Sequence, residues 1–106
     1  LFVRSFNKDP LYPYVWTETA FGDHKDEVYA IDARTNEIAK TLIPIKGEDS
    51  WHPEFTYGGK FVYVVSMSGN QIIVYDAHSF EVVKRIPADK PSAISNVGLR
   101  IEEPGL

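Results

Sequence analysis

Apolar and polar positions along this chain alternate in short runs, and no segment keeps a helical period over three turns. Phe61-Val62-Tyr63-Val64-Val65 and Ile72-Ile73-Val74-Tyr75 are β-branched and aromatic stretches of strand length. Tyr57-Gly58-Gly59-Lys60 and Ser68-Gly69-Asn70 supply the residues that tolerate positive φ in tight hairpins. Asp32-Ala33-Arg34-Thr35-Asn36 and Asp76-Ala77-His78-Ser79-Phe80 read as turns, each opened by an aspartate that can accept from backbone N–H groups just after it. Glu81-Val82-Val83-Lys84-Arg85-Ile86 has some helical propensity, but it is short and runs into Pro87, so it reads as an outer strand.

These signals occur twice. Aligning Asp32 with Asp76, an offset of 44 residues, puts Val28 on Ile72, Ala33 on Ala77, Glu37 on Glu81 and Lys40 on Lys84. The first copy carries a few extra residues in Ala20-Phe21-Gly22-Asp23-His24-Lys25. A period of this size lies in the range of β-propeller blades, about 40–50 residues. The pattern predicts an all-β chain of two four-stranded antiparallel meanders. The first runs through Leu1–Ser5, Pro13–Thr19, Glu27–Asp32 and Ile38–Ile43. The second runs through His52–Thr56, Phe61–Ser66, Gln71–Asp76 and Val82–Ile86, with a ninth strand at Ala93–Leu99. The blade-like units span about 1–46 and 47–88, and 89–106 is a closing segment. Propellers close with about four to eight blades, so two units imply partners: further blades or further copies of the chain. The hydrophobic start at Leu1-Phe2-Val3, with no Met or signal peptide, suggests a piece of something longer, whereas Glu102-Glu103-Pro104-Gly105-Leu106 looks like a tail.

Composition narrows the function classes. With 43% hydrophobic and 13% aromatic residues, a packed core is expected rather than disorder. A net charge of −4 with dispersed signs provides no basic face for nucleic acid and no polybasic patch for a membrane. No apolar run approaches the roughly 20 residues of a spanning helix. Zero cysteines exclude disulfides, thiolate metal sites and covalent haem attachment through cysteine within these residues. Gly58-Gly59-Lys60 is not a phosphate loop, because the flanking glycine and Ser/Thr spacing is missing and no helix follows. No ordered Ser-His-Asp signature and no paired His spacing for a metal is present, and His24 and His78 lie in exposed turns.

Three stretches then carry a family resemblance: His52-Pro53-Glu54-Phe55-Thr56-Tyr57-Gly58-Gly59-Lys60-Phe61-Val62-Tyr63-Val64, Val74-Tyr75-Asp76-Ala77, and Lys90-Pro91-Ser92-Ala93-Ile94-Ser95-Asn96-Val97. Together they are similar to the C-terminal end of the d1-haem propellers, the cytochrome cd1 nitrite reductases and their relatives in d1-haem maturation. Leu1-Phe2-Val3-Arg4-Ser5 and Tyr14-Val15-Trp16-Thr17-Glu18-Thr19 resemble the preceding blade. The chain differs from the nitrite reductases at Ala93, Ser95, Ser66-Met67-Ser68 and Phe6-Asn7, where glycine, phenylalanine, tryptophan and His-Pro are usual.

The resemblance implies two blades of an eight-bladed propeller, periplasmic or otherwise extracytoplasmic, that binds haem d1, in nitrite reduction or in d1-haem biosynthesis. It also implies a c-type cytochrome as redox partner, with the axial histidine and the nitrite-assisting histidines on earlier blades. A propeller scaffold of the YVTN type, binding without catalysis, is the alternative. The candidate cofactor-binding residues are Arg4, His52, Glu54, Gln71, Ser92 and Ala93. Arg4 would meet a macrocycle carboxylate, since a guanidinium fork suits one. His52 opens an inner strand and would touch the haem or a substrate oxygen, unless it only hydrogen-bonds the backbone beside Trp51. Strand alternation would put Glu54 on the same face as His52, to orient the imidazole or to tie the next blade. Gln71 and Ser92-Ala93 map near positions that approach the macrocycle, against a plain reading as hairpin and strand packing. The aromatics Trp16, Trp51, Tyr12, Tyr14, Tyr57, Tyr63 and Tyr75 read as core and inter-blade packing.

Overall fold

A computed structural model describes residues 3–92, so Ala93 and the expected strand Ala93–Leu99 lie outside the described residues. Among the described residues, eight strands form two antiparallel meanders and there is no helix. The first sheet is β1 (Val3–Ser5), β2 (Tyr14–Glu18), β3 (Val28–Asp32) and β4 (Glu37–Leu42), hydrogen-bonded in that order. The second is β5 (Trp51–Phe55), β6 (Phe61–Ser66), β7 (Gln71–Asp76) and β8 (Val82–Pro87), in the same order. Glu37–Leu42 and Val82–Pro87 are strands, as their shortness and Pro87 suggested.

The repeat is visible in the backbone as well as in the letters. The register slips after Ala30 in the first sheet and after Val74 in the second, equivalent positions. Asn36 at φ 60° and Phe80 at φ 64° close equivalent turns in the left-handed region. In each turn the fifth residue's N–H returns to the aspartate's carbonyl, Asn36 to Asp32 at 2.8 Å and Phe80 to Asp76 at 2.9 Å. Asp32 Oδ1 accepts from Arg34 N at 2.9 Å, and Asp76 Oδ1 accepts from His78 N at 2.8 Å. Aspartate opens both turns because its side chain substitutes for a missing ladder partner.

The sheets meet along their first strands, where β5 touches both β1 and β2. The core lies in this wedge. Trp16 is fully buried and packs against Phe55, Tyr75 and Phe80, with ring centroids 6.4, 5.8 and 5.8 Å away. Val62, Val64 and Ile73 of the second sheet complete it with Val28 and Ala30 of the first. Such a tryptophan contributes most of its ring to the dry interior, and truncating one to alanine costs about 3–5 kcal/mol. Tyr12, in the loop between β1 and β2, bolts the far end of the wedge. Its hydroxyl accepts from Trp16 Nε1 at 2.9 Å and donates to Ala77 O at 2.7 Å. Burial pushes the Tyr12 pKa up to about 12, so the hydroxyl keeps its proton. Gly59, at φ 73°, is pressed by Phe6, whose ring would lie 2.5 Å from any added Cβ.

The two outward faces differ. On the first sheet Val3 and Ile38 are 56% and 58% exposed. On the second, Val65 and Val74 are buried on the face turned away from the first sheet, where uncovered apolar residues are expected from two isolated units.

Candidate functional site

The first strands of the two sheets carry the charged residues singled out above. Arg4, in the middle of β1, directs Nε to Glu54 Oε2 at 2.7 Å, so the structure joins two candidates in one cross-sheet ion pair. Glu54 is buried and the Arg4 side chain keeps 35% of its surface. A carboxylate this buried is tolerated because a charge-assisted donor meets it.

His52 lies beside this pair but not by simple alternation. Trp51 pairs with Val65 and Glu54 with Tyr63, so three steps along β5 match two along β6. His52 and Pro53 therefore oppose a single residue in a β-bulge, with His52 at φ 51°. The bulge overturns the expectation that His52 and Glu54 share a face through a period of two: Trp51 and Glu54, three apart, are the pair brought into register. Pro53 was the available signal, since proline lacks a ladder N–H and gathers at bulges and edges.

A residue that the sequence reading passed over holds this bulge. Glu18, the last residue of β2, is fully buried, and its Oε2 accepts the His52 backbone N–H at 3.1 Å. His52 is half-buried, and desolvation pushes its imidazole below the usual 6.5, partly opposed by Glu18. It is thus a neutral imidazole at neutral pH. Its ring meets Trp51 edge-on at 5.7 Å, and Trp51 meets the exposed Phe21 at 5.1 Å. The Trp51 Nε1 and Ser50 Oγ atoms are buried without a hydrogen-bond partner.

Gln71 and Ser92 lie apart from this cluster, at the sheet end where β5 begins. Gln71 starts β7, and its Oε1 accepts from Arg85 Nη1 at 3.3 Å. Ser92 is exposed, in the segment that Lys90 N and Ala88 N tie to Asn70. His24 and His78 are exposed turn residues as expected. Another carboxylate that sequence reading missed, Asp49, accepts from Met67 N at 2.7 Å and Ser68 N at 3.1 Å and so fixes the β6–β7 turn. No group of three or more potential metal ligands occurs among the described residues.

A model of the family described as cytochrome D1 heme domain matches residues 1–100. The chain belongs to that family. It is 46% identical over 90 residues to the dihydro-heme d1 dehydrogenase of Pseudomonas aeruginosa, covering 84% of this chain and 18% of that protein. It is 35% identical over 80 residues to Protein NirF of Stutzerimonas stutzeri, covering 76% of this chain and 20% of that one. Its fold matches the solved structure of dihydro-heme d1 dehydrogenase NirN in complex with DHE with a TM-score of 0.82 and 42% identity, over 94% of this chain and 21% of that one. Apo AztD from Citrobacter koseri, at 21% identity and a TM-score of 0.56, covers 74% of this chain and shares its fold. This cytochrome D1 heme domain chain spans about a fifth of the length of the relatives it matches.

Proposed function

We propose that the chain supplies two blades of a longer propeller that binds a d1-type haem in d1-haem maturation. Arg4, His52 and Glu54 form part of the pocket wall, with Gln71 and Ser92 toward its rim, and Ala93 is a further candidate for contact with the haem. The carrying observation is the half-buried His52 held beside a cross-sheet Arg4–Glu54 pair where the first strands meet. The likeness to proteins named dihydro-heme d1 dehydrogenase supports this reading over direct nitrite reduction.

The residues present fit such a ligand. The macrocycle is flat and bears carboxylates. The wall offers donors for them: Arg4, still 35% exposed beside Glu54, and the buried Trp51 Nε1, which has no acceptor. When bound, the haem supplies the redox chemistry of its conjugated ring and iron. Arg4 would bind a carboxylate through its guanidinium fork, and Glu54 would fix the direction of that fork. His52, uncharged at neutral pH, would take up a proton released at the ring edge.

A cavity of about 530 Å³ supports the proposal of further blades; Ser5, Val15 and Ala33 contribute to its lining. Cross-strand pairing makes Val15 equivalent to Val62, and the repeat makes Ala33 equivalent to Ala77. On the second sheet the matching spot, at Ala77 and Phe55, is filled by Tyr12 from the blade before it. A preceding blade would fill the first sheet's cavity in the same manner. Export to the periplasm and electron exchange with a c-type cytochrome belong to the same proposal.

Titrating the complete polypeptide that carries these residues with a d1-type haem tests it. The expected result is a stoichiometric change in the long-wavelength visible bands, with affinity about tenfold or more weaker in Arg4→Ala, the scale of one charge-assisted hydrogen bond. A colourless protein that leaves the haem spectrum unchanged would return the chain to the scaffold reading.

A further inference from the structure

We propose that Glu18 is a positioning residue for His52: its buried carboxylate, reaching across from the first sheet, holds the left-handed bulge that sets the imidazole in the wall. The proposal rests on the reading of His52 as a pocket residue, and it makes that half of the site a property of two blades together.

The backbone at His52 is unfavourable on two counts. A non-glycine residue in the left-handed region is disfavoured because its Cβ crowds the following carbonyl oxygen, and a residue followed by proline favours extended backbone. His52 has φ 51° and precedes Pro53. The bulge also removes the regular ladder, since His52 and Pro53 oppose one residue of β6. Strain of this kind persists only where the surroundings over-determine it. The over-determining contact comes from the other sheet, as Glu18 Oε2 accepts the His52 N–H at 3.1 Å.

The choice of a carboxylate is informative. A neutral acceptor would satisfy one N–H, and burying a carboxylate at 0% exposure carries a desolvation penalty that a neutral acceptor would avoid. The charge acts on the ring as well as on the backbone. Three charged side chains act on the His52 imidazole: Glu18 from β2, Arg4 from β1 and Glu54 from its own strand. Desolvation and Arg4 disfavour the imidazolium, while Glu18 and Glu54 favour it. Of the two carboxylates Glu18 is the larger opposing charge, and Glu54 also meets Arg4 at 2.7 Å. Glu18 thereby sets both where the imidazole stands and how readily it accepts a proton.

The test follows the His52 ring by NMR through a pH titration of the complete polypeptide without haem, in wild type, Glu18→Gln and Glu18→Ala. Glu18→Gln keeps an oxygen acceptor and removes the charge; the His52 pKa should fall while its Cα and Cβ shifts keep the left-handed signature. In Glu18→Ala that signature should be lost. His52→Gly, which tolerates positive φ, should recover stability lost in Glu18→Ala. An unchanged His52 titration in Glu18→Gln overturns the proposal even if Glu18→Ala fails to fold, and so does His52→Gly failing to rescue Glu18→Ala. Because haem is absent, these outcomes are separate from failure of the haem-binding reading, which the visible spectrum decides.

Discussion

His52 should make the junction between the sheets sensitive to mild acid. Desolvation holds its folded pKa below the 6.5 of an unfolded chain, so the unfolded state binds the proton more readily. Its contribution to stability is therefore fully present above 6.5 and is lost as pH falls from there toward the folded value. Thermal melts between pH 7.5 and 5.5 should show Tm falling with acidity, and His52→Gln should flatten that part of the profile. An unaltered slope in the variant would assign the acid sensitivity elsewhere. His52 was legible in the sequence as a histidine near the start of a strand, and it is the second residue of β5. Its conformation was not, because the usual mark of positive φ is glycine and Pro53 alone hinted at a bulge. Glu18 was illegible for a different reason: in Tyr14-Val15-Trp16-Thr17-Glu18 it looks like the polar end of a strand, and only the second sheet buries it.

The third turn of each meander is the element that the sequence describes best. Its Asp recurs 44 residues apart, and both copies make the same aspartate-to-backbone bonds. They are reinforced differently. Asp32 is held well down, to about 2, chiefly by the Arg34 side chain, whose Nη2 lies 2.7 Å from Oδ2. Asp76 is lowered chiefly by the backbone N–H of Ser79, at 2.9 Å. Asp76→Ala should cost about 1 kcal/mol, the typical worth of such local acceptors, in a chemical denaturation midpoint. High salt should leave that loss unchanged, because backbone N–H groups are not screened away as an exposed arginine is. Phe80 departs from the pattern. The first copy has Asn36 at the left-handed position, whereas Phe80 is held there by rings at 5.0 Å from Tyr14 and 5.8 Å from Trp16. Packing outweighs local preference, which is why the turn could be read and its aromatic occupant could not.

At the scale of the whole molecule, two meanders were predictable from the repeat, but the contacts that join them were not. Tyr12 to Ala77 and Arg4 to Glu54 span 65 and 50 residues, distances over which no periodicity speaks. Tyr12 falls in a loop and its aromatic character says only that it will be covered. Tyr12→Phe keeps the ring and removes the hydroxyl that serves both Trp16 and Ala77. It should cost about 1–3 kcal/mol, because the indole N–H is left buried without an acceptor, and urea melts should show it as a lower midpoint with the slope unchanged. The placement of the two tryptophans has an optical consequence. Trp16 is sealed in the wedge, and Trp51 lies part-exposed beside His52. The first should emit in the blue and resist acrylamide. The second should emit further to the red, yield to the quencher, and darken first when a coloured ligand arrives at that end. With only 2 tryptophans in the chain, Trp51→Phe and Trp16→Phe each leave one lamp lit, one reporting the seam and the other the surroundings of His52.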